Sequence, residues 1–321
     1  FGEKGGALGY LVGEANMGLS YMFTMMNHAR LNVGVQGVAL SDRAYQQAVD
    51  YARDRVQGQA PGMPSKSLII HHPDVRRMLM LMRAFSEASR ALCYVTSAAF
   101  DHGHKALEPD LRASAMRRAE LLTPISKAWS TEVSQEVTSL GVQVHGGMGF
   151  IEETGAAQLM RDARITTIYE GTTGIQALDL VGRKVIRDQG AALFSLLEEV
   201  DATAVELASS FPSMAASLTA ASMQLRQATS FVLTHAGDQE HLASAVAYNY
   251  LMGTGTVIAG WLMARSALIA ASLRQEDEAF YGAKITTAAF YFDQIMPRAQ
   301  AHFSGVSLAA TAMMELTMEQ F

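Results

Sequence analysis

The residues most able to do chemistry crowd between Gln143 and Gln176, in QVHGGMGFIEETGAAQLMRDARITTIYEGTTGIQ. Gly146, Gly147 and Gly149 let backbone approach a ligand closely and leave N–H groups exposed. Glu170 precedes Gly171-Thr172-Thr173-Gly174, just before a helical pattern resumes. A helix that starts there frees N–H groups for an anionic or polarised oxygen. Plainer readings fit the same residue types. A glycine bend is also an ordinary turn, and a glutamate at a helix start is favoured by the dipole alone. His71 and His72 fall in a loop pattern, and His102 with His104 lacks a second pair for zinc, so no metal is expected. No GxSxG, HExxH or P-loop string occurs.

The elements that must hold these residues are helical. Of 321 residues, 49% are hydrophobic, with seven prolines against nineteen methionines, a mix that favours helix over sheet. Apolar positions recur at three- and four-residue steps from Leu19 to Arg55, from Pro73 to Phe100 and from Asp110 to Leu140, ending at Gly141. DHGHKALEPD reads as a connector. A shorter helix is predicted over Thr154–Asp162 and another over Thr172–Arg187. Long helices with short links predict an up-and-down bundle over 19–188. A second helical unit, 189–321, is predicted from Ala191–Ser209, Pro212–Ala236, Gln239–Gln275 (broken near Gly253) and Glu276–Met296. Pro297 is expected to close that last helix, and Gly305 to interrupt the short segment after it. Residues 1–18 read as the end of a β-hairpin, with Tyr10, Leu11 and Val12 in a strand. The first residue, Phe1, suggests a chain that has lost its front.

Charge and cysteine content narrow the partners. A net charge of −6 and no long basic run disfavour nucleic acid. The single cysteine, Cys93, excludes an intrachain disulfide framework and fits a reducing, cytoplasmic compartment. The most apolar stretch, Gly253–Leu273, carries Arg265 and reads as a buried helix rather than a membrane span.

Three ordered strings, QVHGGMGF, LMRDARI and IYEGTTGIQ, resemble the signature of the acyl-CoA dehydrogenase family. NHARLNVGVQGVALSDRAYQQAVDYARDRVQG and HHPDVRRMLMLM are similar to the first two helices of its C-terminal domain. The resemblance covers Gly9 to Arg187. The tail from Gly190 resembles the extra C-terminal helical domain of the larger members, and the run GYLVGEANMGLSYMFTMMNHAR is most similar to the 3-methylmercaptopropionyl-CoA dehydrogenase branch.

The resemblance implies an all-α chain that carries out FAD-dependent α,β-dehydrogenation of an acyl-CoA thioester. Glu170 would take the α-proton, with the β-hydride passing to flavin N5. Gly171 would lie near the thioester, and Asn27 and Arg30 along the CoA path. Thr172 and Thr173 would touch the flavin. Gln143, His145, Gly146 and Gly147 would touch the FAD of a neighbouring subunit, Arg55 an FAD phosphate, and His72 another FAD segment. A homodimer or dimer of dimers and electron-transfer flavoprotein are the implied partners. Three positions depart from the pattern. Gly174 stands where many members carry glutamine, Val56-Gln57-Gly58 replaces an aromatic-glycine pair after Arg55, and Asn27 replaces a frequent acidic residue. As a C-terminal fragment, the chain is expected to hold flavin weakly and to be inactive alone. The alternatives are an acyl-CoA oxidase and a non-catalytic helical scaffold of the same fold.

Overall fold

The computed structural model describes residues 2–237, 241–307 and 313–321, apart from the side chains of residues 23 and 24. Three long helices form the first layer: α1 (Gly18–Asp54), α2 (Pro73–Lys105) and α3 (Pro109–His145). Pro73 and Pro109 each open a helix, where a missing N–H costs nothing and φ is already set. The expected connector DHGHKALEPD is mostly helix, because α2 continues to Lys105 and leaves only residues 106–108 as the link. α3 likewise runs through Gly141 to His145. A Cβ at Gly141 would stand 3.5 Å from the Ala44 methyl, so this glycine admits close packing of α1 rather than ending the helix.

α1 and α3 approach most tightly at Gly34 and Gly37. A Cβ at either would lie 2.8 Å from a carbonyl oxygen of α3, Ser126 or Ser130 respectively. This spacing sets the depth at which Arg30, one turn before Gly34, meets the middle of α3.

After α3 come a short turn of helix, α4 (Gly147–Phe150), then α5 (Ala156–Thr166) and α6 (Thr173–Leu178). The helix expected over Thr172–Arg187 changes pitch at Asp179 and continues to Ile186 as π-helix. Arg187 N–H bonds the Gly182 carbonyl and Gly190 N–H the Val185 carbonyl, both five residues back. Such insertions often mark functional sites.

The second unit comprises α7 (Ala191–Leu207), α8 (Pro212–His235), α9 (Leu242–Leu273), α10 (Glu278–Gln294) and α11 (Pro297–Ser307). The expected start at Gln239 lies outside the described residues. α9 is unbroken at Gly253, where a Cβ would meet the Phe303 ring at 2.5 Å. Gly255 meets the Trp129 indole at the same distance. These glycines are seats for aromatic rings, not breaks. Pro297 begins α11 instead of closing α10, and Gly305 lies within α11.

One hydrophobic core runs through both units, from Leu79, Phe85 and Trp129 to Tyr250, Trp261 and Phe303. α9 is long and apolar enough to cross a membrane, yet most of it is buried against α2, α3, α6, α8, α10 and α11. No strand occurs among the described residues. The segment read as a strand has no partner: Tyr10, Leu11 and Val12 are exposed coil, and a lone strand leaves its backbone groups unpaired. The expected all-α architecture is otherwise observed.

Candidate active site

Glu170 sits in the loop between α5 and α6, partly buried, with φ at +56°. Gly171 follows at φ +88°. Two consecutive left-handed residues, one of them a glutamate, are costly and persist only when their surroundings hold them. Those surroundings come from three helices. Lys127 of α3 donates to the Gly171 carbonyl at 2.8 Å. Gln176 of α6 reaches the carbonyls of Glu170 and Gly171 with its amide nitrogen, at 3.4 Å each. A Cβ at Gly171 would stand 2.5 Å from that nitrogen and 3.8 Å from the guanidinium of Arg30, so only glycine fits.

Thr172 caps α6 by accepting from the Ile175 N–H at 3.2 Å. Thr173 is buried and donates to Glu132 at 2.6 Å. Tyr169 ties the loop to α1 by donating to the Gln36 side chain. Among the described residues, no acceptor meets the N–H groups of Glu170, Gly171 or Thr172. Glu170 thus opens a run of free backbone donors, the pattern suited to holding a developing negative oxygen. The face outside is apolar and open, with Ile168, Ile175 and Leu178 exposed.

Beneath the loop lies a buried charge network. Arg30 and Asp179 form an ion pair at 3.2 Å with side chains 7% and 8% exposed. The π-helix places Asp179 at this depth, and Arg183 also reaches it at 3.5 Å. Arg30 Nε and Gln176 Oε1 are buried without a partner. Lys127 is wholly buried, and burial is the main reason its ammonium titrates at about 8. Glu132 opposes that shift, Arg30 adds to it and Glu170 opposes it.

The other expected site residues gather elsewhere. Arg55 ends α1 with an exposed guanidinium, and its carbonyl accepts from the Ile69 N–H at 2.8 Å. His72 follows on the same turn, with Nε2 2.9 Å from the Gln57 carbonyl oxygen. His145 is buried, its ring 4.5 Å from that of Tyr51, one turn before Arg55. Its Nδ1 lies 2.7 Å from the Gly141 carbonyl oxygen. Gln143, Gly146 and Gly147 are exposed, and nothing stands within 4 Å of where a Cβ would be on either glycine. Arg55, His72, Gln143, His145, Gly146 and Gly147 therefore form one end of the bundle.

Arg30, Glu170, Gly171, Thr172 and Thr173 form a second locality, with Asn27 partly buried one turn before Arg30 on α1. From Arg30 to Arg55 is roughly 37 Å of helix, and from Lys127 to His145 roughly 27 Å. Arg30 is committed to Asp179 rather than free along a ligand path.

Lys127, Gln176, Glu132 and Asp179 were not singled out from sequence. A signal existed for Lys127, the lone charge in LLTPISKAWST. A helix apolar all round is buried, so a lysine in it is buried too. Among the described residues, no group of His, Cys, Asp and Glu could hold a metal.

The sequence and the fold are similar to those of known proteins. Residues 16–186 match the family model for the acyl-CoA dehydrogenase C-terminal domain, and residues 196–317 match the one described as acetyl-CoA dehydrogenase C-terminal like. Over 312 residues the chain is 46% identical to 3-methylmercaptopropionyl-CoA dehydrogenase of Ruegeria pomeroyi, covering 95% of this chain and 53% of that protein. The fold is similar to Caenorhabditis elegans ACDH-11, solved in complex with C11-CoA (TM-score 0.73, 20% identity, 89% of this chain and 46% of that one). It is also similar to an acyl-CoA dehydrogenase of Bacillus anthracis complexed with FAD (TM-score 0.72, 19% identity, 92% of this chain and 50% of that one). The chain spans about half the length of the curated relatives it matches. With its first helical unit matched across the loop that carries Glu170, the chain belongs to the acyl-CoA dehydrogenase family.

Proposed function

We propose that this chain supplies the base and part of the flavin site of an FAD-dependent acyl-CoA dehydrogenase, with Glu170 removing the α-proton of the thioester. One observation carries the reading. A glutamate is kept in a left-handed conformation beside three unpartnered N–H groups. Strain of this kind, held from three helices, clusters at functional sites. A thioester α-carbon is a weak acid, so its proton leaves only if the oxygen that becomes negative meets donors. The N–H of Glu170 serves as one such donor, and the carboxylate of the same residue receives the proton.

The residues present fit FAD. Gly146 and Gly147 offer open backbone, and Arg55 offers an exposed guanidinium for a phosphate. Thr172 and Thr173 border the base on the flavin side. When bound, FAD supplies the acceptor for the β-hydride. Roughly 27 Å of α3 separates Lys127 from His145, and in this reading each locality serves a different FAD. This supports a homodimer or dimer of dimers in which Gln143, His145, Gly146, Gly147, Arg55 and His72 serve the neighbour's cofactor. Residues 19–188 form the catalytic bundle in this reading, and 189–321 the extra helical domain.

Electron-transfer flavoprotein is the proposed acceptor and the cytoplasm the proposed compartment. The one thiol, Cys93, is buried and pushed up to about 12 by burial, with the Ser130 hydroxyl opposing, so it stays protonated and inert.

The test uses the full-length protein, mixed without oxygen with short straight, branched and sulfur-containing saturated acyl-CoAs. Bleaching of the flavin with formation of the 2-enoyl-CoA is expected for at least one class. Flavin that stays oxidised with every class would contradict the proposal.

A further inference from the structure

The buried ammonium under the Glu170 loop has no role in the reaction as stated so far. We propose that Lys127 is a positioning residue, which turns the Gly171 carbonyl inward and so holds the Glu170 loop, with the Thr172 N–H directed at the substrate side. This rests on Glu170 being the base.

The geometry is specific. Lys127 is wholly buried in the middle of α3, and its ammonium lies 2.8 Å from the Gly171 carbonyl oxygen. A trans peptide sets C=O and N–H in opposite directions. Fixing the Gly171 carbonyl toward the core therefore fixes the Thr172 N–H toward the open face. Gln176 does the same, at longer range, for the Glu170–Gly171 peptide. A cation on a carbonyl also polarises the peptide and strengthens its N–H as a donor.

An amide side chain would satisfy that carbonyl without burying a charge. A lysine here costs solvation, and its neighbours compensate only in part. Glu132 on α3 and Glu170 on the loop favour the ammonium, while Arg30 on α1 opposes it and is itself paired to Asp179 on the π-helix. With burial as the largest cause, the group titrates at about 8. Activity and stability then respond oppositely to one proton. Above about pH 8 the ammonium gives way to a neutral amine, which still has N–H donors but no longer polarises the carbonyl, and turnover falls. Over the same range, up to the unfolded value of about 10.4, the unfolded chain binds more protons than the folded one. The Lys127 contribution to stability therefore rises with pH in that window. A lysine that only filled space would leave turnover flat where stability rises.

The experiment compares Lys127→Met with the parent in the full-length flavoprotein, using a saturated acyl-CoA and an artificial electron acceptor. The expected result is a roughly 10- to 100-fold fall in kcat, KM nearly unchanged, and disappearance of the alkaline fall in kcat near pH 8. If Lys127→Met does not fold, Lys127→Gln keeps a neutral donor. It should turn over more slowly than the parent and show no fall at pH 8. Parental kcat with the alkaline fall intact in the variant that folds overturns the proposal. Glu170→Gln, run alongside, separates the two claims. If it is inactive while Lys127→Met turns over normally, only the role of Lys127 falls. If Glu170→Gln itself turns over normally, the base assignment falls.

Discussion

The centre of α9 and the underside of the Glu170 loop are both buried, and they are built on opposite terms. Around α9 the interior is apolar and its few polar groups are matched. Trp261 donates to Thr203 at 2.8 Å, and Tyr291 donates to the Thr256 carbonyl at 2.8 Å. Under the loop, by contrast, Lys127, Arg30, Asp179 and Glu132 meet within one locality. Two buried polar atoms lack partners, and the backbone above is strained. Charges taken out of water are weak evidence for stability. Their concentration at one loop indicates that the locality is arranged for what it does, while α9 and its neighbours hold the fold.

The comparison sharpens under substitution. Trp261 is 1% exposed, and Trp261→Ala removes a large side chain from the apolar region. A loss of about 3–5 kcal/mol is expected in denaturant unfolding, with turnover per folded enzyme unchanged. If turnover falls with stability, the two regions are not separable as drawn. Removing one partner of the buried pair, in Arg30→Met, leaves buried Asp179 with only the longer Arg183 contact at 3.5 Å and should cost up to about 3 kcal/mol, together with turnover. The double variant Arg30→Met/Asp179→Leu should recover most of that stability without recovering turnover. Recovery of both would make the pair structural only.

Sequence reading reached the helices more surely than their ends. α1 and α8 fall within a residue or two of the periodic pattern, because apolar spacing reports which face is buried. Gly141 and Gly253 were read as breaks, since a glycine's conformational freedom is local while its use in packing is not. Pro297 was read as an end and is a beginning, and residue type alone does not choose between these. Tyr10 to Val12 carry strand propensity without a partner to realise it.

Within the site, Glu170, Gly171, Thr172 and Thr173 were legible as a string because their neighbours in sequence are their neighbours in space. Lys127 reaches the loop from α3, and Asp179 on the π-helix pairs with Arg30 on α1; contacts across 44 and 149 residues leave no mark on local spacing. The division of the remaining candidates into two localities also needed coordinates. Only the lengths of α1 and α3 show that Arg55 and Gly146 stand away from Glu170 on the same chain.

The central claim, that Glu170 is the base, is tested most directly by a single turnover without oxygen. Full-length parent and Glu170→Gln protein, each loaded with flavin to the same extent, are mixed with a saturated acyl-CoA, and the rate of flavin bleaching is recorded. The account predicts equal flavin content and a rate lower by about 10³-fold or more in the variant. Bleaching at the parental rate in Glu170→Gln would contradict it.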